Sequence, residues 1–434
     1  MRQLLFITYY FPPSGGSAVQ RSLKFVKYLA AFGWRPTVLT VRPEHASFPD
    51  LDPDLTSEIP HSTRVERTSA WDPYALYANV LGQPKEAVVS TGFLGEAETN
   101  LRQRIARWMR ANVFLPDARV GWVPFAAARG HRLLQQGGFD AVMTTGPPHS
   151  THLAGLLLHR LHDTPWLVDL RDPWTGIDFY EDLPMTALAR AIDGWLEMLV
   201  LNHADVGTVV SEAMGRELLA RASISLKVVP NGFDPADFEA VDAKPPADRF
   251  VIGHVGNLNM ARNPEVLWKA LAELRAPERM PELRIALTGN VEPAVLSTAA
   301  DYGLNHLIDT FPFVPHRAAV ERMRRATVLL LCVNRVAGAE GIVTGKLYEY
   351  VASGRPVLGI GPPAGDAARV LGATDAGRMF GFDDVAGVVA YLRAGYDVWK
   401  SGRGLSGAVP ERAARYSRRE QTRILADVLS SIAR

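Results

Sequence analysis

A lysine three residues ahead of a glutamate, just inside a predicted helix, marks the densest chemistry in this chain. The segment Thr344-Gly345-Lys346-Leu347-Tyr348-Glu349 follows a Gly/Thr loop, and Gly354 ends the helix before the next apolar run. A helix N-terminus presents unpaired N–H groups and the positive end of a dipole, so with Lys346 it can neutralise a diphosphate. Glu349 can accept two vicinal ribose hydroxyls in a bidentate bond. The plainer reading is a solvated helix carrying an ordinary Lys/Glu pair.

Three further loops hold residue types suited to ligands. Pro12-Pro13-Ser14-Gly15-Gly16-Ser17 lies between a strand and a helix, where Gly15 and Gly16 let backbone approach an anion or simply make a tight turn. It is neither GxGxxG nor a P-loop. In Thr144-Thr145-Gly146-Pro147-Pro148-His149-Ser150, a strand runs into a helix and His149 stands just outside it, as a substrate contact or as a structural hydrogen bonder. His152, His159 and His162 follow without carboxylate or cysteine partners in the motif, so no metal is expected. In Asp169-Leu170-Arg171-Asp172-Pro173-Trp174, two carboxylates flank a guanidinium, either as a local ion pair or as acceptors for sugar hydroxyls and an acceptor proton. Asp172 ranks above Asp169 because its place before Pro173 puts it in the loop itself.

These loops matter because open parallel sheets bind ligands outside the carboxyl ends of their strands. Apolar runs at Leu4 to Tyr10, Pro36 to Val41, Phe139 to Thr144, Trp166 to Leu170 and Val206 to Val210 predict strands, with helical spacing between them. Residues 43–138 read poorly and are expected to be an elaboration facing an acceptor. Residues 230–248, rich in Pro and carboxylates, predict a linker. The alternation then resumes with strands at Phe250 to Val255, Leu283 to Thr288, Val328 to Val333 and Pro356 to Ile360, and a last amphipathic helix spans Arg418 to Ile432. The expectation is an N-terminal, acceptor-side unit over 1–230, a donor unit over 231–410, and a 411–434 segment able to pack back on the first.

Composition narrows the class. The 434 residues exceed one ordinary core, and 47% apolar with 21% charged residues is the balance of a globular protein. A net charge of +1 provides no field to attract a polyanion, so nucleic acid is not an expected partner. The single cysteine, Cys332, sits in an apolar run and reads as core. No signal peptide or membrane-spanning run is read, which predicts a cytoplasmic protein. Residues 101–115, with Leu101, Ile105, Trp108 and Met109 on one face and Arg102, Arg104, Arg107 and Arg110 mostly around it, suit packing, peripheral contact with an anionic membrane at its inner face, or a lipid-linked acceptor.

TGKLYEYVASGRPVL resembles the donor-binding segment of family-4 glycosyltransferases, and the likeness spreads to YYFPPSGGSAVQRSLKFVKYLAAFGWRPTVLT, VVPNGFDPADF and HVGNLNMARNPEVLWKAL. TGPPHSTHLAGLLL and LVDLRDPWT look like a bacterial subgroup associated with cell-surface polysaccharides. The resemblance implies an α/β GT-B fold of two facing Rossmann-like, doubly wound domains with an interdomain cleft. It implies transfer of a hexose-type sugar from a UDP- or GDP-linked donor to a glycan or lipid-linked acceptor, with retention and with neither metal nor other cofactor. Glu349 matches the ribose-binding glutamate, Gly15 and Gly16 the loop near the donor phosphates, and Arg262 a basic residue on the diphosphate; Thr344, Gly345 and Leu347 fall in the same donor segment. His149, Asp172 and Glu340 are the catalytic candidates. Eight residues separate Glu340 from Glu349 where the family has seven, which puts in doubt whether Glu340 reaches the sugar. Asn257 replaces a common arginine, and the Asp172 segment replaces a more common histidine segment. A sugar-nucleotide epimerase, a phosphorylase and a nucleotide-sugar-binding pseudoenzyme are the rival readings.

Overall fold

The computed structural model describes residues 1–46, 48, 51–71, 101–177 and 180–433. The chain forms two units, Met1–Pro230 with Arg418–Arg434, and Asn231–Ser417.

In the first unit, β1 (Arg2–Ile7), β2 (Trp34–Val41), β3 (Arg64–Thr68), β4 (Ala141–Gly146), β5 (Trp166–Leu170), β6 (Val206–Val209) and β7 (Leu226–Val228) make a parallel sheet in the order β3-β2-β1-β4-β5-β6-β7. Helices α1 (Ser17–Leu29), α2 (Leu101–Asn112), α3 (Val123–Gln135), α4 (Ser150–His162), α5 (Ala187–Leu201) and α6 (Glu212–Leu219) join them. Parallel strands need such crossovers, and the crossovers cover both faces, which is why β4 and β5 are buried at every residue. The elaboration expected over 43–138 contains, among its described residues, β3, α2 and α3.

The second unit repeats the plan. Strands β8 (Phe250–Val255), β9 (Leu283–Thr288), β10 (Ile308–Phe311), β11 (Val328–Cys332), β12 (Val357–Ile360) and β13 (Gly377–Phe380) run parallel in the order β10-β9-β8-β11-β12-β13. Around them lie α7 (Pro235–Glu239), within the stretch read as linker, α8 (Glu265–Glu273), α9 (Pro293–Asp301), α10 (His316–Arg325), α11 (Gly345–Ser353), α12 (Asp366–Thr374) and α13 (Val385–Lys400).

The last helix, α14 (Arg418–Ile432), belongs to the first unit. Its Leu425, Ala426, Val428 and Leu429 complete a core with Val19, Leu23 and Val26 of α1, and Trp34 Nε1 donates to Ser430 Oγ at 3.2 Å.

Strand order locates the sites. Each sheet reverses its direction of winding once, between β1 and β4 in the first unit and between β8 and β11 in the second. At such a switch point the flanking loops part and leave a crevice. Gly15, Gly16 and His149 follow β1 and β4; Arg262 and Lys346 follow β8 and β11.

Candidate active site

In the second unit the switch point is built around Lys346. Gly256, directly after β8, has φ +127°, and a Cβ there would fall 1.9 Å from Lys346 Cε and Nζ. The absence of a side chain at Gly256 therefore lets Lys346 lie across the strand end. Gly289, after β9 with φ +118°, also packs closely on the Gly256 carbonyl, where a Cβ would come 2.6 Å from the oxygen. Tyr350, one turn along α11, accepts from the Val255 N–H at 2.9 Å through its phenol oxygen, which ties the helix to the end of β8.

Electrostatics sets the purpose of this arrangement. Burial first, and Arg262 second, push the Lys346 ammonium down to about 8, with Glu349 opposing them. Arg262 Nε donates to Asn334 Oδ1 at 2.5 Å, and Arg335 N–H donates to the Ala261 carbonyl at 2.8 Å, so the loops after β8 and β11 are held together. His254 is buried beneath; its Nδ1–H donates to the Leu330 carbonyl at 3.0 Å, and burial with the nearby Lys346 lowers it to about 4. The His254 imidazole is thus neutral and adds no positive charge of its own. Among the described residues Lys346 makes no hydrogen bond or ion pair. A half-desolvated ammonium beside a guanidinium, at the start of a helix, is a site for an anion.

The remaining second-unit candidates divide. Thr344 precedes α11, and its buried Oγ1 has no hydrogen-bond partner among the described residues. A Cβ on Gly345 would meet nothing within 4 Å, so open space lies beside the first helical residue. Glu349 is half-buried, with His316 Nδ1 4.0 Å from its Oε1. Leu347 requires correction as a donor contact. Its side chain is wholly buried in the core and its N–H donates to the Thr344 carbonyl, leaving no group to offer. Glu340 is exposed on the helical turn Ala339–Gly341, and no described hydrogen bond or ion pair holds its carboxylate.

In the first unit, His149 and Asp172 line one cavity of ≈ 420 Å³, with Pro147, Pro148, Trp174, Tyr180 and Asp193 among its other walls. Adjacent pairing of β4 and β5 brings their two loops together. His149 stacks on Trp174 with centroids 4.9 Å apart and planes 13° from parallel. Burial lowers its pKa in spite of Asp117 and Asp172, so the imidazole is neutral. Asp117 fixes the helix that follows, accepting from Ser150 N–H and Oγ–H, each at 2.8 Å. Asp172 is partly exposed and paired with Arg171 at 3.1 Å.

Asp169 has a different position. It is fully buried and accepts from Arg21 at 2.7 and 3.0 Å, Thr145 at 2.7 Å and Thr208 at 2.6 Å. Burial alone would raise its pKa; Arg21 and the two hydroxyls outweigh it and hold the carboxyl below its ordinary value. It joins three strands to α1 and is not among the residues that line the cavity. Gly16 caps α1 with φ +80°, and Gly15 is buried beside it.

His152 is likewise structural. Trp166 Nε1 donates to Thr144 Oγ1, which shares a hydrogen bond with His152 Nδ1, at 2.9 Å each. Among the described residues no cluster of three or more His, Cys, Asp or Glu is arranged to hold a metal ion. In α2, Ile105 and Trp108 are exposed, while the side chains of Leu101 and Arg102 lie outside the described ones. Among the described residues no helix is long and apolar enough to cross a membrane.

Residues 15–232 match the family described as Glycosyl transferase 4-like domain, which is half of the chain. The chain belongs to this family. Solved structures extend the likeness over both units of the glycosyltransferase. Anabaena HepE in complex with UDP is 14% identical, with 99% of this chain and 100% of that one covered and a TM-score of 0.61. Sucrose-phosphate synthase from Thermosynechococcus elongatus is 15% identical, with 99% and 98% covered and a TM-score of 0.62. The lipopolysaccharide outer core galactosyltransferase WaaB is 11% identical, with 99% of each chain covered and a TM-score of 0.58. At these identities the likeness is one of fold, the GT-B fold of two Rossmann-like sheets. No curated protein matches the chain in sequence.

Proposed function

We propose that this glycosyltransferase moves a hexose-type sugar from a nucleotide diphosphate donor, held by the second unit, to a glycan or lipid-linked acceptor held by the first. The observation that carries the reading is the unpaired, half-desolvated Lys346 beside Arg262 at the start of α11. Such a site is costly without an anion and favourable with one. HepE is described in complexes with UDP and with UDP-glucose, which supports a uridine diphosphate donor here.

In this reading Lys346, Arg262 and the N-terminal turn of α11, beginning at Thr344 and Gly345, take the diphosphate, and Glu349 accepts the ribose hydroxyls. The bond between the sugar's anomeric carbon and the phosphate oxygen breaks, the bond from the acceptor oxygen forms, and the acceptor proton leaves with the diphosphate. Negative charge grows on the leaving phosphate during this step, so the two cations stabilise the transition state more than the bound donor. Asp172 and the neutral imidazole of His149 orient the acceptor hydroxyl. The reaction is retaining and metal-independent, Gly15 and Gly16 approach the donor phosphates, and Glu340 is a secondary candidate for contact with the transferred sugar. The setting is bacterial cell-surface polysaccharide synthesis in the cytoplasm, with the segment 101–115 as a peripheral contact at the inner membrane face.

The test is calorimetric titration of UDP and GDP, followed by turnover of the matching nucleotide sugar with glycan acceptors. Glu349→Ala is expected to weaken nucleotide binding about tenfold or more. Unchanged affinity in that variant would refute the assignment. Binding without turnover would favour a pseudoenzyme, and a changed sugar without a new glycosidic bond an epimerase.

A further inference from the structure

The cavity of the first unit contains a carboxylate that the reaction as proposed does not use. Asp193 lies on α5, 2% exposed, and spends both oxygens on ring donors. Oδ1 accepts from Trp174 Nε1 at 2.8 Å, and Oδ2 accepts from the Tyr180 hydroxyl at 2.8 Å. One turn further along the same helix, Glu197 accepts from Thr175 Oγ–H at 2.6 Å and from Arg221 at 2.9 Å. Two buried carboxylates at i and i+4 thus pin the segment after β5 at Trp174, Thr175 and Tyr180.

A buried carboxylate held only by neutral donors is a poor device for stability, because its desolvation is not repaid by a countercharge. Burial raises Asp193 to about 6 despite both donors. What the pair of bonds does accomplish is orientation. A Trp N–H and a Tyr O–H on the two oxygens of one carboxylate fix the orientation of each ring, and Trp174 in turn stacks on His149. Trp174, Tyr180 and Asp193 all line the cavity, whose other walls include the apolar Pro147, Ile177 and Met185. Fixed aromatic faces beside aliphatic walls, with His149 and Asp172 at hand for hydroxyls, suit a molecule with one sugar ring and one apolar part.

We propose that Asp193 is a positioning residue for an acceptor subsite in the first unit, which takes a glycoside bearing an apolar aglycone, and that it acts by fixing the Trp174 and Tyr180 rings as the subsite's wall. This rests on the reading of the protein as a transferase whose acceptor binds in the first unit, and it names the acceptor's chemical class.

The experiment compares wild type, Asp193→Asn, Asp193→Ala and Tyr180→Phe by calorimetric titration of n-octyl β-D-glucopyranoside below its micellar concentration, with UDP titrated in parallel. An Asn keeps the geometry: its oxygen accepts from Trp174, and its NH₂ donates to the Tyr180 phenol oxygen. Asp193→Asn is therefore expected to bind the glucoside within about threefold of wild type, and Asp193→Ala about tenfold or more weakly. Tyr180→Phe releases one arm of the clamp and is expected to fall between them, which serves if the alanine variant does not fold. UDP affinity is expected to be the same in all four proteins. The proposal is overturned if the glucoside does not bind wild type, if neither Asp193→Ala nor Tyr180→Phe weakens it, or if UDP and glucoside affinities fall together, which marks general damage. Failure of the donor reading would appear separately, as absent UDP binding in a wild type that still takes the glucoside in an Asp193-dependent way.

Discussion

Raising the pH through the titration of Lys346 is expected to weaken UDP binding. The ordinary lysine value is 10.5 and the folded one is about 8, so burial and Arg262 disfavour the charged form. At about 1.4 kcal/mol per pH unit that is roughly 3 kcal/mol, which a bound anion can return. In the free protein the protonated fraction falls from about nine-tenths at pH 7 to about one-tenth at pH 9, while a bound diphosphate keeps the ammonium charged. Affinity is therefore expected to drop about tenfold between pH 7 and pH 9 and about tenfold for the next unit. The phosphate itself, with a second pKa of about 6, has finished titrating in this range. Calorimetric titration at fixed ionic strength from pH 7 to 9.5 measures the slope, and Lys346→Met is expected to bind about ten- to a hundredfold more weakly at pH 7 with no such slope. A wild-type affinity that is flat across the range, or a methionine variant that keeps the dependence, would refute the placement of Lys346 on the diphosphate.

Gly256→Ala is expected to reproduce the UDP-binding loss of Lys346→Met while the protein stays folded, because the added methyl occupies the place of the lysine tip at a φ of +127°; native affinity in that variant would count against the overlap. Arg21→Ala leaves Asp169 buried and uncompensated, so urea unfolding should register a loss of about 3–5 kcal/mol, and a loss under 1 kcal/mol would be contrary evidence. Acid is expected to weaken the second unit through His254, whose folded value of about 4 lies below the ordinary 6.5. The unfolded chain holds the extra proton between those values, so this contribution is complete above about pH 6.5 and declines by roughly 3 kcal/mol as the pH falls to 4. His254→Asn, which keeps an N–H for the Leu330 carbonyl, should flatten the decline in a calorimetric pH series; an equal decline in both proteins would remove His254 as its source.

What could be read from the residues follows burial. Every interior strand of both sheets, from the Leu4-Leu5-Phe6-Ile7 run of β1 to Val357–Ile360 of β12, announces itself as an apolar run because both of its faces are covered. The strands β3, β7, β10 and β13 escape such a reading, and they are the four sheet edges. Arg-Val-Glu-Arg-Thr in β3 and Ile-Asp-Thr-Phe in β10 are half wet, so their composition is that of a loop. The same distinction divides the site. Lys346 and Glu349 stand out as candidates because they lie three residues apart at a helix start after a strand, whereas Arg262, 84 residues before Lys346, is singled out only by the family resemblance. Gly256 is not legible, since a glycine after a strand has many causes and only the overlying Lys346 side chain gives this one its reason. Asp117 and Asp193 reach the cavity from elements 33 and 19 residues away from the partners they fix, and no local pattern encodes such a contact. Leu347 shows the converse: proximity in a motif is not orientation, and the helix turns it into the core.

The return of residues 418–432 to the first unit has a consequence for biosynthesis. The ribosome makes Val19, Leu23 and Val26 early, yet Leu425, Val428 and Leu429, which cover them, are added only after all of Asn231–Ser417 has been translated. The unit begun first is thus the one completed last, and its nascent apolar seam waits, open to chaperones, while a contiguous second unit has every residue it needs to fold.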